Sequence, residues 1–185
     1  LKRLSQKKVF AKRLRFLKYI KHKNIKLEFF NGGGTGSIHT TSLDNAVTEI
    51  TLGSGFYSPS LFDTFDQLPC KPSLFFATQV VRKPSAKIAT CFSGGYIASG
   101  ETGINKNPIP VLPSGLKIFK NEMFGEVQTP LKMQNKNDLH IGDPVIFRPA
   151  KAGEILERFN SIALIENNTI IENVPTYRGE GQNFG

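Results

Sequence analysis

The chain has 185 residues, 39% hydrophobic and 21% charged, with no Trp, a composition that fits a globular protein and excludes a disordered or fibrous one. Its formal net charge of +9 is confined to one end: residues 1–26 hold eleven of the 24 Lys and Arg and no Asp or Glu. The remaining thirteen basic residues face fifteen acidic ones, which argues against the evenly basic surface of a nucleic-acid-binding domain.

Cys70 and Cys91 stand apart, with no CxxC and no metal-finger spacing, a usage that suits a reducing compartment. No apolar run approaches the roughly 18 residues that a membrane helix needs, and the basic N-terminus lacks the apolar stretch of a signal peptide. A cytoplasmic protein with no membrane partner is the expectation. Because the first residue is Leu, the chain is expected to be a piece of a longer protein.

Residues 3–21 predict a helix, since Val9, Phe10, Leu14, Leu17, Tyr19 and Ile20 recur at roughly helical spacing among Lys and Arg. Such a helix serves as a basic face for nucleic acid or a membrane surface, or packs on a sheet with its lysines in solvent. The second use is the commoner one. Lys26–Phe30 (KLEFF) predicts a short buried strand that runs into Asn31–Ser37 (NGGGTGS). Helix, strand and glycine-rich loop together are the rhythm of an α/β unit.

Beyond the loop the pattern becomes β-prone. Val47–Leu52, Leu74–Arg82, Lys87–Phe92, Val145–Arg148, Ser161–Glu166 and Thr169–Glu172 predict strands, the last two joined by an Asn167-Asn168 hairpin turn. Only Ala152–Phe159 gives a further, weak helix signal. From about residue 67 onward a mainly β domain of six to eight strands is expected.

The loop has a direct chemical use. Glycines let several backbone N–H groups converge on an anion, and Thr35 and Ser37 add hydroxyls. No Lys follows the last Gly, so the ATP-binding pattern fails, and Ser37 stands where the dinucleotide pattern needs its third Gly. A monophosphate fits best. The same composition also serves as a plain flexible connector between domains.

The motifs around the loop resemble those of the D-threonine aldolase and D-serine dehydratase family, nearest to its amino acid deaminase/aldolase subgroup. The resemblance runs from about residue 27 to the end. It rests on GGGTGS followed by Thr48–Ser54 (TEITLGS), Phe76–Pro84 (FATQVVRKP), Leu139–Val145 (LHIGDPV), Arg148–Glu154 (RPAKAGE) and Val174–Gly181 (VPTYRGEG). It implies an α+β piece: the last helix-and-strand part of a pyridoxal-phosphate-binding α/β barrel of the TIM type in residues 1–66, then a mainly β C-terminal domain in 67–185. It also implies that Gly33, Gly34, Thr35, Gly36 and Ser37 hold the phosphate of pyridoxal 5'-phosphate. The full-length protein would be a lyase for aldol cleavage or β-elimination on β-hydroxy D-amino acids, and a homodimer.

Two departures from the family follow. The Schiff-base Lys of such enzymes lies on an early barrel strand, upstream of residue 1, so this chain alone is expected to be inactive. Where many members bind zinc through His-x-Cys, this sequence has Lys151 and Gly153, neither of them a zinc ligand, and His22, His39 and His140 are far apart. No metal is expected. Lys151 either supplies positive charge where zinc would polarise the substrate hydroxyl or is a plain loop residue.

Glu154 and Arg178 are the remaining candidates, Glu154 for the substrate site and Arg178 for a substrate carboxylate. Tyr57 and Tyr96 suit packing better than cofactor stacking, and Cys91 suits packing better than reaction. The competing readings are a nucleic-acid-binding β-barrel module with a basic N-terminal helix, and a non-catalytic association domain.

Overall fold

The computed structural model describes residues 2–65, 68, 70–101, 103–134 and 138–184. The chain forms two compact units, Leu1–Phe56 with Thr64–Cys70, and Tyr57–Asp63 with Lys71–Gly185.

In the first unit α1 spans Lys2–His22. It holds no Gly or Pro and is rich in Lys, Arg and Leu, all good helix formers. Lys21 and His22 sit favourably in its last turn, and Asn24 ends it in the left-handed region at φ 55°. The Ile25 N–H bonds back to the Ile20 carbonyl at 3.2 Å and the Asn24 N–H to that of Lys21 at 3.0 Å, which satisfies two of the last carbonyls. Gln6, Phe10, Arg13, Leu17 and Ile20 form the half-buried stripe, at the four-three spacing of a packed helix face, whereas Val9, Leu14, Phe16 and Tyr19 stay exposed.

The sheet expected beneath this helix is absent among the described residues of the unit. Lys26–Phe30 and Val47–Leu52 are not strands; one parallel bridge joins Asn31 to Glu49. Leu27 and Phe29 remain exposed rather than buried, because no strand of the described residues flanks them. The apolar run of KLEFF carried the burial signal of a central strand, but a strand needs neighbours to be one.

The second unit is a curled antiparallel sheet. Its strands are β1 (Phe76–Ser85), β2 (Ile88–Phe92), β3 (Ile109–Leu112), β4 (Leu116–Ile118), β5 (Gln128–Met133) and β6 (Pro144–Arg148), in the order β3-β6-β1-β2-β5-β4. β1 pairs with β6 over its first half and with β2 over its second, with register shifts at Val80/Arg82 and Arg82/Ser85 that bend it. The two edges, β3 and β4, are joined through Pro113–Gly115 and return to each other's side, so the sheet nearly closes into a barrel. The whole is α+β.

Alternation along the strands fills the interior. Val80, Ala89, Cys91, Leu131, Val145 and Phe147 are fully buried. Phe147 stacks on Phe76 at 5.2 Å and meets the edge of Phe124 at 5.5 Å. Tyr96 lies between Phe76 and Phe159, at 4.9 and 5.4 Å, in the packing role expected of it. The short α3 (Ala152–Leu156) covers this core with Ala152 and Ile155. A separate hairpin, β7 (Ser161–Glu166) and β8 (Thr169–Pro175), turns at Asn167 and Asn168, both left-handed at φ 49° and 62°. That is the type I′ turn for which Asn is suited.

Candidate functional site

The glycine loop sits in the first unit. It is anchored at its entry by the Gly32 N–H on the Glu49 carbonyl at 3.0 Å, and by the Thr48 N–H on that of Phe30 at 3.1 Å. At its exit a single turn, Thr35–Ser37, leads into α2 (Ile38–Thr41). The Ser37 N–H returns to the Gly34 carbonyl at 3.0 Å, and the Thr41 hydroxyl donates to that of Ser37 at 3.3 Å. Among the described residues the N–H groups of Gly34, Thr35 and Gly36 have no acceptor. Three unpaired donors in succession, beside the Ser37 hydroxyl, are what an anion requires.

Two glycines are sterically necessary here. Gly33 lies at φ 85°, and a Cβ on it would come 2.8 Å from the Thr41 hydroxyl oxygen. A Cβ on Gly36 would come 2.7 Å from the Phe65 ring. Gly34, by contrast, faces open space, with nothing within 4 Å of where a Cβ would sit. The loop is therefore packed on its back and open at Gly34. On the α1 side, a cavity of about 590 Å³ lies between Gln6, Phe10 and Arg13 on one side and Gly36 and Ser37 of the loop with Thr41 of α2 on the other.

The residues that back the loop were not singled out by sequence. Gly55 packs on Thr35, Phe65 on Gly36, and the Arg13 guanidinium lies against Gly32. Gly55 falls just beyond the TEITLGS motif, which was a usable signal; for Phe65 and Arg13 no local pattern marks the contact.

In the second unit the structure brings Lys151 and Glu154 together at the start of α3. The Lys151 ammonium donates to the Ser99 carbonyl at 3.1 Å and to its hydroxyl at 3.0 Å, and lies 3.6 Å from the Glu154 carboxylate. The Ser99 N–H donates to Glu154 Oε2 at 2.7 Å. Burial acts to raise the Glu154 pKa, but the hydrogen bonds from Ser99 and the charge and hydrogen bond of Lys151 outweigh it and hold the carboxyl below its ordinary range. Tyr177 donates its hydroxyl to the Gly153 carbonyl. Its own pKa is raised, by burial first and then by the charges of Glu157 and Glu154. Arg178 is exposed and does not join this cluster. Ser99, the residue that ties the cluster together, lies in a polar loop that gave no sequence signal.

Among the described residues no three His, Cys, Asp or Glu side chains gather as a metal-holding group, and no helix is long and apolar enough to cross a membrane.

No family model matches the sequence, and no curated protein matches it. Among solved structures, the chain is similar to a D-threonine aldolase from Filomicrobium marinum, with a TM-score of 0.77, 16% identity, 90% of this chain covered and 46% of that one. It is also similar to an alanine racemase of Clostridium difficile 630 in complex with cycloserine, with a TM-score of 0.54, 15% identity, 85% of this chain covered and 48% of that one. The chain thus spans about half the length of the proteins it matches, and at these identities what it shares with them is the fold.

Proposed function

We propose that this chain is the C-terminal part of a pyridoxal-phosphate-dependent lyase acting on β-hydroxy D-amino acids. The observation that carries the reading is the likeness to a D-threonine aldolase over 90% of the chain. In this reading residues 1–66 end the cofactor barrel and residues 67–185 form the β domain, and two copies make a dimer.

The glycine loop fits a monophosphate. Its three unpaired N–H groups, the Ser37 hydroxyl and the open face at Gly34 suit a compact anion that the backbone approaches closely. Gly33, Gly34, Thr35, Gly36 and Ser37 would hold the phosphate of pyridoxal 5'-phosphate, which when bound supplies the electron sink for the reaction. The chain's own work is to fix that phosphate and so orient the cofactor.

The Lys151 ammonium, held by Ser99 and Glu154, supports a role as the fixed positive charge beside the substrate hydroxyl. Glu154 lines the same place, and the exposed Arg178 is suited to a substrate carboxylate. Full-length protein supplied with pyridoxal 5'-phosphate and D-threonine tests the reading. Release of glycine and acetaldehyde, or of ammonia and a 2-oxo acid, supports it and distinguishes cleavage from elimination. Neither product from D-threonine or D-serine contradicts it.

A further inference from the structure

Within the second unit, β4 and β5 place two lysines face to face. In their antiparallel register Lys117 stands directly opposite Lys132, and side chains so paired have Cβ atoms about 5 Å apart. Both point away from the core, because the residues that alternate with them, Leu116, Leu131 and Met133, are buried. Like charges directly opposite each other destabilise a sheet. A carboxylate on the next strand would relieve that cost, yet the residue facing Lys132 from β2 is Ile88.

Other cations of this unit have found partners. Arg148 pairs with Asp63, Lys151 with Glu154, and Arg82 donates to the Gln128 side chain. Among the described residues Lys117, Lys120 and Lys132 have no ion pair. The Lys132 ammonium instead lies over the Phe119 ring, 5.1 Å from its centroid, a weak contact at an exposed site.

The three lysines line one cleft of about 570 Å³, together with Phe119, Asn121 and Gln134. Both of its walls are fixed. One is the β4–β5 ladder. The other is the turn after β4, closed by the Met123 N–H on the Phe119 carbonyl at 2.7 Å. That turn is held by the Asn107 amide on Met123 Sδ at 3.4 Å and by the buried Phe124, whose ring meets Phe147. A cleft lined by one sign of charge concentrates its field on whatever anion enters.

The charge of the cleft narrows the choice of anion. Among the lining residues Glu122 is the one carboxylate, so three ammonium groups less one carboxylate leave two positive charges. A phosphate monoester carries about −1.5 to −2 at neutral pH. Lysines bind phosphate as point charges, and the Asn121 and Gln134 amides add neutral donors. The volume exceeds that of a phosphate group alone and leaves room beside Phe119 for an organic part.

We propose that this cleft binds a small phosphate monoester, with Lys117, Lys120 and Lys132 as its charge partners and its organic part along Phe119. The cleft lies wholly within the second unit, so its ligand is independent of the one proposed for the glycine loop.

The test titrates the 185-residue chain with phenyl phosphate at constant ionic strength, followed by NMR. The amide resonances of Lys117, Lys120 and Lys132 should move together and saturate. Lys117→Gln should weaken binding about tenfold. Because it relieves the opposed pair, it should unfold at no lower urea concentration than wild type. Lys71→Gln removes an equal charge from an exposed position outside the cleft and should leave the affinity unchanged. Benzoate, with one negative charge on the same ring, should bind at least about tenfold more weakly than phenyl phosphate. Resonances of the three lysines unmoved by phenyl phosphate would overturn the inference, as would equal weakening by Lys71→Gln and Lys117→Gln. Benzoate binding as tightly as phenyl phosphate would overturn the assignment to phosphate.

Discussion

Arg13 of α1 and Asp44, which follows α2, form an ion pair of 2.7 Å, with the carboxylate side chain 3% exposed and the guanidinium 19%. Asp44 also accepts the Ala46 N–H at 3.0 Å, and Arg13 lies against Gly32 at the entry to the glycine loop. One pair thus ties the helix to both ends of the loop segment. Removing one partner of a buried pair leaves the other charge unpaired, which costs more than the pair itself contributes. Arg13→Met should destabilise the first unit by about 3 kcal/mol in urea unfolding. The double variant Arg13→Met/Asp44→Asn should recover part of that loss; equal stability of wild type and Arg13→Met contradicts the account.

Lys151→Met should raise the Glu154 pKa toward its ordinary 4.5, because it removes the ammonium whose charge and hydrogen bond, beside the Ser99 hydrogen bonds, hold the carboxyl down. The depressed carboxyl contributes stability above the unfolded-state pKa and loses it as pH falls through the folded one. The variant's stability should therefore fall off less on acidification than that of wild type. A pH titration of the Glu154 carboxyl by NMR checks the shift. Under the proposed function, the same change in the full-length protein should lower lyase turnover about a hundredfold, the ammonium then facing developing charge. Unchanged turnover removes Lys151 from the mechanism.

Burial of Cys91 in β2 pushes its thiol from the ordinary 9.0 up to about 12. Below pH 9 the thiol is neutral folded or unfolded and gives no pH dependence. Between 9 and about 12 the unfolded thiol ionises while the folded one does not, so stability should fall as pH rises through that window. Urea unfolding across the window should show this slope in wild type and its reduction in Cys91→Ala. A thiol reagent at pH 8 should reach Cys91 only on unfolding. Rapid labelling of Cys91 in the native state contradicts its burial.

Where local chemistry decides the conformation, the sequence was legible. The left-handed pair Asn167-Asn168 announced its hairpin, and the run of good helix formers announced α1. The core strands Phe76–Ser85, Ile88–Phe92 and Pro144–Arg148 showed themselves by apolar β-branched and aromatic residues. Three strands carry no such signal: β3 and β5 are interrupted by Pro110 and Pro130, and β4 has only three residues. KLEFF misled in the other direction, since its composition describes a strand whose partners these described residues do not provide. At the loop, the glycines and hydroxyls could be read directly. Their backing by Gly55 and Phe65, and the closing of Lys151 and Glu154 on Ser99, depend on contacts between distant parts of the chain and leave no local periodicity.

The central claim is that Gly33–Ser37 holds the cofactor phosphate, and Gly34 offers the most direct test of it. At φ 169° any residue can adopt its backbone, and a Cβ there meets nothing within 4 Å, so substitution should leave the fold intact. Gly34→Asp places a negative charge at the open face, and Gly34→Asn places the same shape without the charge. The measurement is the affinity of the full-length protein for pyridoxal 5'-phosphate, read from cofactor absorbance, with pyridoxal lacking the phosphate as the control ligand. The account predicts that Gly34→Asp binds pyridoxal 5'-phosphate at least about tenfold more weakly than Gly34→Asn, a gap of about 1.4 kcal/mol, with no such gap for pyridoxal. Equal affinity of the two variants for the phosphorylated cofactor would place the phosphate elsewhere and contradict the claim.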